Sequence, residues 1–378
     1  MALQSTAKLT ALAATLAFLN GCMATSAPAP QFDTNASASS QADSFIDVEN
    51  ASYMKGVDRV GVMSCNVMFG MTSAASASTS GGFRAGRTRA IGTVSRSDVK
   101  VTVTYSAAGI SEETLQGIAT QLCNDAETQL AQAGFEVIPH ETIKANEHYR
   151  NIHAQGRTAA FEYKGKGETR YLVMARPGET IYDPQYAGGT SGFAQAFKGI
   201  GGDAAEQLED YLMKDLNMTG VNINLLVDFA ALESDGHGSW GGFSNKDTAK
   251  VEGKVQLAVG GDIRFQPIAH QDCWNEWGKE KCMVKIHHQP VFASKHFVAS
   301  NAPFYSSVDD VTSTGDKVLS GVTQVLGALS ALGGTSSSIG RDITRYQVNI
   351  IPATYQSETE RLAGGLVAMA ASKAASQK

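Results

Sequence analysis

Charged side chains are scarce in this sequence, since Asp, Glu, Lys and Arg together make up 18% of its 378 residues. A soluble domain usually carries about 25%, so this chain depends on uncharged polar and small residues, among them 38 glycines. The net charge of −6 argues against non-specific binding to nucleic acids and other anionic polymers. We expect no nucleic-acid partner.

The sequence motifs of several enzyme classes are also missing. Residues 236–242 are rich in glycine and contain Ser239, but His237 occupies the position where a Gly-x-Ser-x-Gly turn needs its first glycine. Residues 199–202 precede a predicted helix at Asp203, yet the lysine of a phosphate-binding loop and the full dinucleotide pattern are absent. The sequence therefore predicts no enzymatic activity and no cofactor.

An apolar run at the N-terminus is too short to remain as a transmembrane helix. Residues 9–19 would form a helix about 16 Å long, against a hydrocarbon core of about 30 Å. Lys8 precedes the run and Gly21 stands before Cys22, so residues 1–21 resemble the signal peptide of a bacterial lipoprotein. The resemblance implies lipidation of Cys22, with palmitate among the acyl chains, and anchorage at the periplasmic face of the outer membrane. An ordinary secretory signal is the alternative.

The composition changes along the chain and predicts its domain organisation. Residues 22–57 are expected to form a lipidated, flexible tether, because large apolar side chains are almost absent from residues 23–44. Residues 58–298 are expected to form an α/β body with an arginine-containing insertion at residues 66–97. A helix-strand-helix extension over residues 299–378 is expected to pack on this body.

Apolar periodicity predicts alternating strands and helices. A helix is expected over residues 111–133, with Ser111 as its N-cap and Gly134 as its C′ residue. We predict an α/β (α+β) fold, in which a mixed or antiparallel sheet with one solvent-facing side packs against helices. Further helices are expected over 141–153, 203–216, 316–332 and 355–373, and strands over 60–65, 99–105, 135–138, 171–175, 221–232, 251–259, 283–298 and 346–351.

Four cysteines follow Cys22, and an even number in an oxidising compartment favours two disulfides. Cys273 and Cys282 flank eight residues between two strand-like stretches, so a bridge across a hairpin is expected. By elimination, Cys65 is paired with Cys123. Four buried free thiols are the alternative, and metal binding by cysteine is disfavoured because no CxxC spacing is present.

The predicted hairpin also carries the residues that we single out for binding. Trp274 and Trp277 are candidates for a contact surface, with mutual packing over the disulfide as the alternative. His287 and His288 are expected on opposite faces of one strand, so they could not both bind one metal ion. A site that joins His270 to one of them is conceivable, but no metal site is predicted.

The order of these elements resembles that of lipoproteins of the curli-secretion-channel family. The resemblance covers about residues 58–298 and is most specific over 115–138, where a long helix ends in Gly-Phe-Glu-Val-Ile-Pro. It implies an oligomeric outer-membrane assembly or secretion component in which two hairpins form the channel. Residues 66–83 and 99–105 are the candidates here, although 66–83 is too polar and irregular for a channel strand.

These observations together predict a non-catalytic, outer-membrane-anchored scaffold or assembly and secretion accessory of the cell envelope. Its expected partners are the lipid bilayer, contacted through acylated Cys22, and other envelope proteins, including further copies of the chain. An oligomeric curli-type secretion channel is one alternative. A periplasmic hydrolase that uses Ser239 or a histidine-bound metal is the other.

Overall fold

A computed structural model describes residues 30–78, 96–164, 168–182, 208–237, 248–313 and 337–378. The described helices are α1 (Ala38–Phe45), α2 (Glu112–Gln132), α3 (His140–Ala145), α4 (Glu147–Gln155), α5 (Leu208–Leu216) and α6 (Pro352–Ala375). Three short 3-10 turns cover Ala51–Met54, Ile268–His270 and Ile286–His288. The described strands are β1 (Ile46–Glu49), β2 (Arg59–Ser78), β3 (Arg96–Ala108), β4 (Glu136–Val137), β5 (Arg157–Thr158), β6 (Phe161–Lys164), β7 (Arg170–Met174), β8 (Thr180–Ile181), β9 (Thr219–His237), β10 (Thr248–Gln266), β11 (Gln271–Glu276), β12 (Lys279–Val284), β13 (Val291–Ser294), β14 (Val298–Ser300), β15 (Tyr305–Asp310) and β16 (Ser337–Ile350).

Twelve of these strands form one mixed sheet, which confirms the predicted α/β class. The main path through the sheet is β1-β13-β10-β9-β2-β3-β16-β15. β2 pairs in parallel with β9, and its later residues pair antiparallel with β3. β9 and β10 form a long antiparallel hairpin. The chain therefore contains two hairpins of long strands, β2–β3 and β9–β10.

One face of the sheet packs against α1, α2 and α6 to form the larger apolar core. Alternate residues of β9, such as Val221 and Ile223, are fully buried there, as strand periodicity requires. α2 begins as predicted, because the Ser111 hydroxyl accepts a hydrogen bond from Thr114 N at 3.1 Å. It ends before Gly134, whose φ of 94° is the left-handed conformation of a C′ residue.

Where β9 lies between β2 and the end of β10, the opposite face of the sheet is polar but buried, so the predicted solvent-facing side is wrong there. Asn222, Asn224 and Gln266 alternate with core residues along β9 and β10, a pattern typical of an exposed face. All three are at most 2% exposed. α5 is one of the elements that cover this face, because its Glu209 accepts hydrogen bonds from Asn222 and Gln266.

The N-terminal segment differs from the predicted flexible tether. α1 is capped by Ser37, whose hydroxyl accepts a hydrogen bond from Ser40 N, and it buries Phe45 to 1% exposure. Phe32 packs so closely on α6 that a Cβ added at Gly365 would lie 2.3 Å from its ring. Phe32 and Phe45 are enough to order this segment, because small residues of α6 leave room for their rings to pack. The tether prediction is therefore wrong from Ala38 to residue 57.

Two other predicted boundaries are wrong because segments distant in sequence pack or pair with each other. Residues 66–78 of the expected insertion continue β2, because β3, β7 and β9 supply their hydrogen-bond partners. Residues 299–378 are no separate extension, since β15 and β16 lie in the main sheet and α6 fills the main core. Residues from Gln31 onward form one compact unit.

Local breaks divide two elements that were expected to be continuous. The helix predicted over residues 141–153 is divided between α3 and α4, because the Asn146 side chain accepts a hydrogen bond from His148 N and starts a new helix. The strand expected over 283–298 is interrupted by the 3-10 turn Ile286–His288 before β13 and β14.

The helix expected over 316–332 lies outside the described residues. No described helix combines the length and apolarity that a membrane crossing requires.

Candidate functional site

The hairpin formed by β11 and β12 is the best candidate for a functional surface. Cys273 lies directly opposite Cys282, and the two form the predicted disulfide with a Cα–Cα distance of 4.1 Å. Trp277 and Gly278 make the turn, with φ values of 51° and 79°. Positive φ at both positions is the requirement of a two-residue type I′ turn, which matches the twist of antiparallel strands.

α5 holds this hairpin in place. Tyr211 Oη donates a hydrogen bond to the carbonyl oxygen of Glu280 at 2.6 Å, and Lys214 Nζ lies 2.5 Å from the Glu280 carboxylate. At the base of the hairpin, fully buried Asp210 accepts hydrogen bonds from the Gln271 side chain and from Val284 N. Contacts at two levels therefore fix the orientation of the hairpin.

The tip of the hairpin displays a large apolar side chain to solvent. Trp277 is 97% exposed and Trp274 is 41% exposed, so both side chains are accessible to a partner, as a contact surface requires. The alternative of packing over the disulfide fails for Trp277. A residue other than glycine at positive φ costs about 1 kcal/mol or more. The fold therefore accepts local backbone strain while Trp277 gains little burial, an arrangement consistent with a contact surface.

Three histidines gather at the base of the same hairpin, whereas the sequence suggested only that His270 could share a site with one of the other two. The 3-10 turn that enters the hairpin carries His270, and the turn that leaves it carries His287 and His288. The ring centroids of His270 and His288 are 5.7 Å apart, and those of His287 and His288 are 4.2 Å apart. The prediction of opposite faces is wrong because residues 286–288 form a 3-10 turn instead of a strand.

Tyr53 and Asp272 complete the surroundings of these histidines. The Tyr53 ring contacts His270 and His288 at centroid distances of 4.9 and 4.5 Å. Partial burial lowers the pKa of His288, and the nearby charges of His287 and His270 lower it further. A hydrogen bond from Lys285, whose Nζ is 2.7 Å from Asp272 Oδ2, lowers the pKa of that carboxyl. We refer to His270, His287, His288 and Asp272 as the histidine cluster.

The second disulfide lies far from this surface in the main core. Cys65 of β2 and Cys123 of α2 are both fully buried and are joined over a Cα–Cα distance of 5.8 Å. This bridge confirms the pairing that was inferred by elimination. It ties the long helix to the central strand, so its role is structural.

A buried cluster of ionisable residues lies behind this disulfide. Arg176 Nη2 lies 2.6 Å from Glu127 Oε1 and donates to the Cys123 carbonyl, while Arg176 Nη1 is 3.0 Å from His140 Nδ1. Since an arginine can only donate, His140 Nδ1 is the acceptor and its proton is assigned to Nε2. That nitrogen is 2.8 Å from Glu179 Oε1, a close contact without the alignment of a hydrogen bond.

His153 lies near this cluster, and its neutral form is favoured there. His153 Nδ1 accepts a hydrogen bond from Thr180 N at 2.9 Å, and burial lowers the pKa of His153. Burial raises the pKa of Glu179, but contact with His140 and the charge of Arg176 outweigh it, so the pKa is lowered overall. This cluster joins α2, α3, α4 and β8. No local sequence pattern predicts this cluster, because its members lie far apart in the sequence.

A continuous hydrogen-bonded chain also crosses the buried polar face of the sheet. Asn66 donates to Asn224, Asn224 donates to Asp262 at 2.9 Å, and Arg264 Nε lies 3.2 Å from the other oxygen of Asp262. These four residues are at most 4% exposed. Paired polar groups of this kind fix the strand register, because a shift would leave them unsatisfied.

Among the described residues, one set of potential metal ligands lies close together. Cys273, Glu280 and Cys282 place their ligand atoms within 4.8 Å of one another. The two sulfurs are joined in the disulfide, so they offer no thiolate to a metal while the protein is oxidised. Cys22, Ser239, residues 199–202 and Asp203 lie outside the described residues.

Comparisons with known proteins found no matching family, no similar curated protein and no similar solved structure.

Proposed function

We propose that this chain is a non-catalytic scaffold or assembly component of the bacterial envelope, which joins other proteins by strand pairing. The supporting observation is the outer part of the β9–β10 hairpin, formed by residues 228–237 and 248–255. Pairing between β2 and β9 ends at Phe69 and Val227. Beyond that point, the outer hairpin pairs only with itself among the described strands.

An unpaired strand edge attracts another strand, because its backbone N–H and C=O groups lack partners. The N–H groups of Phe229 and Ala230 already donate to the Asp228 carboxylate. The seven residues of β9 beyond them, at 3.4 Å each, give an edge roughly 24 Å long. Natural proteins usually shorten or cover such an edge. Two edges of one hairpin that no other described strand pairs with therefore favour a chain that functions in an assembly.

Shortening the hairpin tests this proposal. Leu232 lies opposite Gly253, so residues 233–252 can be replaced by Asn-Gly, a dipeptide suited to a tight hairpin turn. In the control, Asn-Gly replaces only residues 238–247, between the opposed residues His237 and Thr248. The mass of the protein, extracted from membranes in mild detergent, is then measured by native mass spectrometry.

We expect the wild type and the control to have masses of assemblies larger than one chain. The shortened variant should have the mass of a monomer. Peptide mapping that finds both disulfides in the shortened variant would establish that its body still folds. A monomeric wild type without partners would overturn the proposal. Undiminished assembly of the shortened variant would also overturn it.

The proposed location rests on the N-terminal resemblance, with Cys22 as the lipidated residue of an outer-membrane lipoprotein. Incorporation of radiolabelled palmitate is expected in the wild type and should be lost in Cys22→Ser. Equal labelling of both proteins would refute the anchor. This test is independent of the hairpin experiment.

An oligomeric secretion channel is the second candidate. The observation that favours it is the presence of two long hairpins, whose strands contain 20 and 13 residues in β2–β3 and 19 each in β9–β10. Because residues 66–78 are part of β2, the expected irregularity of this segment no longer argues against a channel. Stable single-channel currents in planar bilayers would favour the channel. Intact assemblies that conduct no current would favour the scaffold.

A further inference from the structure

We propose that the histidine cluster at the base of the β11–β12 hairpin binds a divalent transition-metal ion. The ligands are the imidazoles of His270, His287 and His288, with the carboxylate of Asp272 as a fourth. Imidazole and carboxylate are the ligands that Zn²⁺, Ni²⁺ and Cu²⁺ accept in proteins. This site does not depend on the proposed role in assembly.

The separations of the His288 ring from the other two rings are close to those of ligands around one ion. A zinc–nitrogen bond of about 2.1 Å places each ring centroid about 3.1 Å from the metal. Two such rings are then about 4.4 Å apart at a right angle and about 5 Å apart at the tetrahedral angle. The observed separations of 4.2 Å and 5.7 Å lie on either side of these values.

The ligand atoms of the cluster do not yet converge, since they do not lie within 4.8 Å of one another as those of Cys273, Glu280 and Cys282 do. Rotation of the imidazoles about their side-chain bonds supplies the missing movement, because the His288 ring already lies next to both other rings. His288 Nδ1 is buried and has no hydrogen-bond partner in the described part of the chain. A metal ion would satisfy this lone pair.

The hairpin prepares the site by fixing the two turns that carry the histidines. Gln271 and Val284 form the last cross-strand pair, so residues 270 and 286–288 emerge next to each other. The Cys273–Cys282 disulfide lies two residues beyond that pair and holds the register. The histidines come together only when the β11–β12 hairpin closes, so their positions in the sequence do not by themselves indicate this arrangement.

Electrostatics allow a carboxylate to join the histidines. Asp272 is exposed and its ion-pair partner Lys285 is half exposed, so this pair is weak and can be exchanged for a metal ion. An Asp272 ligand would offset part of the positive charge of a divalent ion. Lys285 would then move its ammonium group into water.

The test is a zinc titration of the tag-free, full-length protein under non-reducing conditions, followed by isothermal calorimetry. Tag-free protein is required because a histidine tag binds the same ions, and the disulfide must stay closed to keep thiolates out of the measurement. We expect one Zn²⁺ per chain. His270→Ala and His288→Ala are each expected to weaken binding by about tenfold to a hundredfold or more.

His296→Ala is the matched control, since His296 lies in the turn between β13 and β14, outside the cluster. Its affinity should equal that of the wild type. Absence of stoichiometric binding would overturn the proposal. So would equal losses in all three variants, which indicate adventitious binding to surface histidines only.

X-ray absorption of the zinc-loaded wild type keeps the proposal testable if a variant fails to fold. Two or more imidazoles in the coordination shell are expected. One imidazole or none would overturn the assignment, and sulfur in the shell would assign the metal to Cys273 and Cys282 instead.

Discussion

The two disulfides should contribute unequally to the stability of this protein. A cross-link stabilises a fold mainly by restricting the unfolded chain, and the effect grows with the length of the closed loop. Cys65 and Cys123 are separated by 58 residues, whereas Cys273 and Cys282 are separated by 9. The chain-entropy relation gives about 4 kcal/mol for the first loop and about 2.5 kcal/mol for the second.

Each contribution can be measured in a variant that keeps only one bridge. Cys273→Ala/Cys282→Ala retains the buried bridge, and Cys65→Ala/Cys123→Ala retains the hairpin bridge. The free energy of unfolding is measured by urea titration for each variant in its oxidised and reduced forms. The difference between the two forms isolates the cross-link, because the packing cost of the alanines largely cancels.

We expect the difference to be larger by roughly 1.5 kcal/mol in the variant that keeps Cys65–Cys123. Equal differences, or a larger one for the hairpin bridge, would refute the loop-entropy argument. Exposure adds an independent check. Cys65 and Cys123 are fully buried while Cys273 is exposed, so mild reductant should open the hairpin bridge first.

Two further predictions concern packing and pH. Gly261→Ala should lower the free energy of unfolding by about 3 kcal/mol, because its Cβ would lie 2.3 Å from the backbone oxygen of Asn224. Gly220→Ala should cost less, since only flexible methionine side chains obstruct it; a larger loss at Gly220 in urea titrations would contradict this reasoning. Stability should also fall as pH drops below 6.5, because the unfolded chain protonates His153 more readily than the folded one, and again below 4.5 for Glu179. His153→Gln should flatten the first decline in a series of unfolding curves from pH 7 to 5, and an unchanged decline would exclude His153 as its source.

Features that depend on neighbours in sequence were predicted well. α2 begins after Ser111 and ends before Gly134 because a capping hydroxyl and a flexible C′ residue act within a few positions. The Cys273–Cys282 hairpin is equally local, with the two cysteines close in sequence and a turn between them. The exposure of Trp277 at that turn follows from the same short-range geometry.

Features that depend on distant partners were missed. Asn222 and Asn224 carry the polar alternation of a solvent-facing strand, and only α5 and the neighbouring strands reveal that they are buried. The short α1 was missed because its sequence composition suggests disorder, although Phe32 and Phe45 find a receptive surface on α6. Amino-acid composition reports the average polarity of a segment. Two well-placed apolar side chains can nevertheless fix a short helix on the protein.

The amino-acid sequence by itself determined the α/β class, the long capped helix, both cysteine pairings and the exposed tryptophans of the β11–β12 hairpin. Periodicity, capping and turn chemistry act over a few residues, so they can be interpreted without coordinates. The tertiary structure alone decided which polar face is buried, where the histidines meet and which edges of the described strands pair with no other described strand. Each of these depends on contacts between segments that meet only when the β11–β12 hairpin closes or the main sheet assembles.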